Sequence, residues 1–178
     1  MKRTLLILAA LAVSLAVAST SSRLSAASKR GAQPTSPAML QLPAAAPAGQ
    51  HTLWGHIKSL KRRGGHFELR FDPALWLNGV TAERAAKQDG QQVANDYYIV
   101  DESRRQLTYV VQTNAHITVL TKGLRSLRIH PSELAEILKG KNPRHRSLFD
   151  RHNSLGFWIL VGDKYPNPAL SIDQQYQP

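Results

Sequence analysis

The sequence predicts an α+β domain built on a mostly antiparallel sheet with two short helices. Three observations predict it. Runs of four to eight β-branched and aromatic residues recur through the second half of the chain. The connections between several of them are short enough for hairpins. Only two segments carry helix start and stop signals.

Before that domain come two segments of different character. Met1-Lys2-Arg3 is a basic start, and Leu5 to Ala18 (LLILAALAVSLAVA) is a run of small and apolar residues ending in Ala16-Val17-Ala18. The pattern reads as a cleaved export signal over residues 1–18, too short to span a bilayer, which needs about 20 apolar residues. Residues 19–50 are rich in Ser, Ala, Pro and Gly and hold no acidic residue, which predicts a flexible tether. A second cleavage point lies near Ser25-Ala26-Ala27. The chain has no cysteine, which excludes disulfides, thiolate metal sites and lipid attachment through sulfur. The expected location is extracytoplasmic, with no membrane span after cleavage.

Residues 51–178 read as one globular domain, long enough to bury a core without staples. Leu53 to Leu60 and His66 to Phe71 are strand-like, and Gly64-Gly65 supplies the positive φ of a hairpin between them. Phe67, Leu69 and Phe71 alternate with His66, Glu68 and Arg70, as in a strand wet on one face. Asp72 caps a helical turn begun by Pro73, and Thr81 caps a second short helix, Ala82 to Asp89, ended by Gly90. Strands follow at Tyr97 to Asp101, Leu107 to Val111 and His116 to Leu120, with ESRRQ as the loop between the first two. Pro131 to Lys139 is a helix with Leu134, Ile137 and Leu138 on one stripe, ended by Gly140. Phe157 to Val161 (FWILV) is apolar on both parities, so it is a central strand covered on both faces. Ala169 to Ile172 pairs at an edge. The order ββ–α–βββ–α–β makes a small, partly closed barrel of oligonucleotide/oligosaccharide-binding (OB-like) shape the candidate closure.

DPALWLNGVTAERAAKQDG followed by NDYYIVDES, LTYVV and AHITVL resembles a pattern of an uncharacterised group of small exported bacterial proteins. The segments GKNPRHRSLF, GFWILV and SIDQQYQP extend the resemblance over nearly all of the domain. It implies an exported single domain and carries over no catalytic residue.

Asp72 and Asp96, with Tyr97 or Tyr98, flank the helical insertion; gathered in one cleft they would suit general acid–base hydrolysis of an envelope polymer. The ordinary alternative makes Asp72 a cap, Asn95-Asp96 a turn, and Trp76 with Leu77 the plug of a barrel end. Asp89, Asn95, Asp96 and Asp101 match no calcium loop. His56 and His66 share the outward parity of adjacent strands, yet no zinc ligand set surrounds them, and no cofactor is expected. Nucleophilic motifs and glycine-rich phosphate loops are absent from the sequence.

Charge is the strongest signal. Of 23 basic and 12 acidic residues, Lys2 and Arg3 belong to the leader, so the mature chain carries 21 against 12, or +9. Lys58, Lys61, Arg62 and Arg63 crowd the first hairpin; Lys139, Lys141, Arg144, His145, Arg146, Arg151 and His152 crowd the segment after the second helix. Basic loops attract polyanions by counterion release, with little sequence dependence. The leading expectation is a non-enzymatic exported domain that binds anionic envelope polymer or lipid headgroups through Lys61, Arg62, Arg63, Arg144 and Arg146. No aromatic residues interleave these clusters, so specific nucleic-acid reading is not expected. A structural alternative lets FWILV, with Trp158, reach a protein partner.

Overall fold

A computed structural model describes residues 42–93, 95–101, 105–149 and 156–177. In chain order its elements are β1 (Gln50–Arg63), β2 (His66–Asn78), α1 (Gly79–Gln88), β3 (Tyr97–Val100) and β4 (Leu107–Leu120). They continue with β5 (Ser126–Ile129), α2 (Pro131–Ile137), β6 (Gly156–Gly162) and β7 (Pro168–Gln175). Residues 1–41, which hold the expected export signal and most of the expected tether, Glu102 to Arg104 of the ESRRQ loop, and residues 150–155 lie outside the described residues.

Five strands close a ring in the order β1–β2–β4–β7–β6 and back to β1. Every pairing in the ring is antiparallel except β4 with β7. Closure leaves the five strands with no free edge, which is how a small antiparallel sheet avoids exposing unpaired backbone. The result is the OB-like barrel, with β3 added along the far half of β2 and β5 along the far half of β4. The inward alternation of Phe67, Leu69 and Phe71 holds, and they meet Ile57, Val111, Ile117, Phe157, Ile159, Val161 and Ile172 in one core. Fully burying such side chains stabilises by about 1.5–3 kcal/mol each, so a chain without disulfides depends on this packing. α2 packs on β1 and β4 and places Leu134, Ile137 and Leu138, all buried, in the same core.

Several elements differ from the sequence reading, each for a tertiary reason. Asp72-Pro73 starts no helix: β2 runs straight on to Asn78. Gly55 faces this point across the ladder, and a Cβ there would overlap the Asp72 carbonyl oxygen. On its other edge β2 pairs with β4 as far as Phe71 and with β3 from Leu75, so Pro73 sits in the gap, where a missing N–H breaks no bond on that edge. α1 starts at Gly79, earlier than expected, and Thr81 does not cap it. Asn78 is the cap residue; its side chain accepts the Trp76 indole N–H at 3.0 Å, and the Thr81 hydroxyl donates back to the Asn78 carbonyl at 2.6 Å. Trp76 plugs no barrel end either. It lies outside the ring, stacked on Tyr97 at 4.2 Å and packed against Trp54 and Trp158.

The two strands expected at Leu107 to Val111 and His116 to Leu120 are one strand, β4. Its polar middle, Gln112 to Ala115, mimics a turn in sequence; here the strand leaves β2 and goes on to join β5, an element the sequence did not suggest. The tail is no edge strand: β7 lies between β6 and β4. β6 is central, as expected, between β1 and β7. Its outward Trp158 and Leu160 are half-buried, beside Pro43 to Pro47 of the preceding segment. The folded body therefore includes residues assigned to the tether.

Candidate functional site

Lys58 occupies a bulge between Ile57 and Ser59, and beyond it Ser59, Lys61 and Arg63 alternate outward while Leu60 stays in the core. The ladders β1–β2 and β2–β4 then set three outward rows across the sheet. They are Ser59–Arg70–Thr108, Lys61–Glu68–Val110 and Arg63–His66–Gln112. Successive rows stand roughly 7 Å apart along the strands. The hairpin turns at Gly64, φ +57°, and Arg62, of the opposite parity and paired with Phe67, lies exposed at its end. Three cations on this face, Lys61, Arg63 and Arg70, share one carboxylate. Glu68 reaches Arg63 only at 3.8 Å and Arg70 only at 4.0 Å, beyond hydrogen-bond length. Lys61 and Arg62 form no ion pair among the described residues, and Arg62 Nε donates to the Gly64 carbonyl at 3.3 Å.

The β6–β7 loop borders the same face. Val110 N donates to the Asn167 carbonyl, and Val110 pairs with Pro168. Tyr165, two residues before Asn167, is 94% exposed. Neither Arg70 nor Tyr165 stood out in the sequence. Arg70 was visible as an outward residue, but only the register shows it beside the hairpin cations; the loop becomes its neighbour only through the β4–β7 pairing.

The second basic segment is compensated differently. Glu133 on α2 is 5% exposed, and Arg146 Nε donates to its Oε1 at 2.6 Å while Nη2 reaches Oε2 at 3.4 Å. Arg144 Nε lies 3.4 Å from Oε2. Asn142 clamps this loop, donating to the Arg146 carbonyl at 2.6 Å and accepting from its N–H at 2.9 Å. Arg146 is thus held by a buried carboxylate and is not the freely exposed cation that the sequence suggested. Lys139 and Lys141 both hydrogen-bond to Glu136 and lower its carboxyl to about 2. Lys58, counted with the hairpin cations, pairs with Asp72 at 2.8 Å.

The carboxylates proposed for catalysis do not converge. Asp72 lies on β2 opposite His56. Asp96 directly precedes Tyr97, which pairs with Asn78, six residues further along β2. That register separates the two by roughly 20 Å along the strand, against the 5–9.5 Å of glycoside hydrolases. Asp96, with φ +58°, lines a shallow cleft with Glu83. Tyr97 stacks on Trp76, and burial raises its hydroxyl pKa, with Tyr176 adding to the rise. Tyr98 donates to Asp89 at 2.7 Å. His56 and His66 do not face each other: His56 pairs with Asp72, and His66 with Arg63 at the hairpin end. Among the described residues no three His, Asp or Glu side chains gather as a metal site. Trp158 is part of the tryptophan cluster, its indole N–H donating to Gln175 at 3.1 Å.

No protein-family model, no curated protein and no solved structure matches this chain.

Proposed function

We propose that the chain is an exported, non-enzymatic domain that binds an anionic polymer of the cell envelope across the outer face of β2 and β4 and the Lys61–Gly65 hairpin. The observation that carries this reading is the row arrangement of Lys61, Arg63 and Arg70 around one loosely engaged carboxylate, with Arg62 exposed at the adjoining hairpin end. An open sheet face with cations at regular spacing suits an extended polyanion, whose charges also recur along a line. In OB-like barrels this same face, with its two bordering loops, holds oligomeric ligands; the correspondence is one of fold and supports the reading by analogy. Tyr165 adds an aromatic surface at the border.

Binding of the full chain to a synthetic oligo(glycerol phosphate) tests the proposal. Affinity should fall steeply and log-linearly with salt, because each phosphate contact releases condensed counterions. Replacing Lys61, Arg62, Arg63 and Arg70 by Gln should remove most of the binding and flatten the salt slope. Salt-independent binding, or an unaffected quadruple variant, would end the reading. Vesicles of anionic phospholipid form a second arm; if they bind tightly and the oligomer does not, a lipid surface replaces the polymer.

A further inference from the structure

Beyond Gln112, the last residue of the third row, β4 continues as Thr113 and Asn114, which form one wall of a cleft of about 290 Å³. The other walls come from Arg128 and His130 at the β5–α2 junction and from Arg144 and Arg146 after α2, with Glu133 beneath them. The lining is rich in donors. Its single carboxylate is buried and both oxygens are already engaged, Oε1 by Arg146 and Oε2 by Arg146 and Arg144. Arg144 is engaged through Nε, so its terminal nitrogens remain, and its side chain is 64% exposed. Arg128 is exposed and forms no ion pair among the described residues. His130 Nδ1 accepts the Ser132 N–H at 3.1 Å, so the neutral ring carries its proton on Nε2, another donor.

One buried Glu133 offsets one of three guanidinium charges and leaves about two uncompensated. A carboxylate ligand would neutralise half of that excess, whereas a phosphate monoester carries about −1.5 to −2 at pH 7. Guanidinium groups also match its oxygens in pairs, and the clamp of Asn142 on the Arg146 backbone holds one side of the cleft in place before any ligand arrives. The volume, near that of ten water molecules at about 30 Å³ each, admits one phosphorylated end unit and not a length of polymer.

We infer that this cleft is a phosphomonoester site that receives the phosphorylated end of the polymer lying on the β2–β4 face. The inference rests on the polymer reading for its ligand's source, but the cleft can be probed alone. Inorganic phosphate added to the full chain at low ionic strength should shift the His130 ring resonances and bind with a millimolar Kd. Arg128→Gln and Arg144→Gln should each weaken that binding by about tenfold, with Tm unchanged for Arg128→Gln because Arg128 holds no carboxylate. An oligo(glycerol phosphate) with a terminal phosphate should bind about tenfold more tightly than the same oligomer after phosphatase treatment. Arg128→Gln should abolish that advantage, and the Gln variant of Lys61, Arg62, Arg63 and Arg70 should keep it. If phosphate leaves His130 unmoved and phosphatase changes nothing, the cleft inference is wrong. If phosphate binds in the cleft but the quadruple variant holds the oligomer as well as wild type, the phosphate site stands and the polymer face falls.

Discussion

The two basic regions of this chain look alike as strings of Lys and Arg but hold their charges differently. Around the first hairpin, Lys61, Arg63 and Arg70 surround Glu68 on an open sheet face, and it stands 3.8 Å from Arg63 and 4.0 Å from Arg70. After α2, Arg146 and Arg144 converge on a buried Glu133, and Lys139 and Lys141 on Glu136. The difference lies in where the carboxylates are. A cation beside a desolvated carboxylate is held in place by the cost of leaving that carboxylate alone, whereas a cation on a wet face keeps its charge available. Counting positive residues therefore measures total charge and says little about how much of it can meet a ligand.

The sharpest way to break this contrast is Arg146→Ala. It leaves the buried Glu133 with only the longer Arg144 contact at 3.4 Å, and we expect a loss of about 2–3 kcal/mol, or a Tm drop on the order of 10 °C, in thermal unfolding. Arg63→Ala should change stability by less than about 0.5 kcal/mol, as exposed pairs do. Equal effects from the two would show that the regions are not different in kind. Next in size is the Gln variant of Lys61, Arg62, Arg63 and Arg70, expected to lower oligo(glycerol phosphate) affinity about 100-fold while leaving circular dichroism and Tm as they were.

Tyr165→Ala probes the border of the face. It should weaken binding of an acidic polymer that presents sugar rings by about fivefold, through lost ring contact, and leave inorganic polyphosphate unaffected in the same titration. The smallest effect concerns Glu136. Its carboxyl is lowered by Lys139 and Lys141, so the folded state favours the charged form. That contribution is complete above the ordinary value of 4.5 and disappears as pH falls through about 2. Glu136→Gln should lower stability slightly at neutral pH, flatten its dependence on pH between about 4.5 and 2, and raise polyanion affinity roughly twofold by releasing two lysines. A fall in affinity would contradict the view that Glu136 masks them.

Local chemistry was readable wherever it stayed local. The alternation of Phe67, Leu69 and Phe71, the Gly64 hairpin, the Pro131 start of α2 with its Leu134–Ile137–Leu138 stripe, and the doubly apolar β6 follow from side-chain period and turn residues alone. Asp72-Pro73 misled because a residue pair that starts helices also fits a gap between two strand partners, and only Gly55 on the opposite strand shows which applies. Gln112 to Ala115 misled because polar residues in a strand that changes neighbours resemble a turn. The residues the sequence singled out for anions divide in the same way: Lys61, Arg62 and Arg63 share one hairpin because they are adjacent in sequence, while Arg70 joins Lys61 and Arg63 through register and Arg146 leaves them for Glu133.

By itself the amino-acid order determined a cysteine-free, strongly basic chain with an OB-like complement of strands and two short helices, because composition, hydrophobic period and turn residues act over a few neighbours. Ring closure through the parallel β4–β7 pair, the rows on the β2–β4 face and the partners of each cation were decided only in three dimensions. Charges and hydrogen-bonding groups act through space, and residues such as Val110 and Asn167 become neighbours only once the barrel has closed.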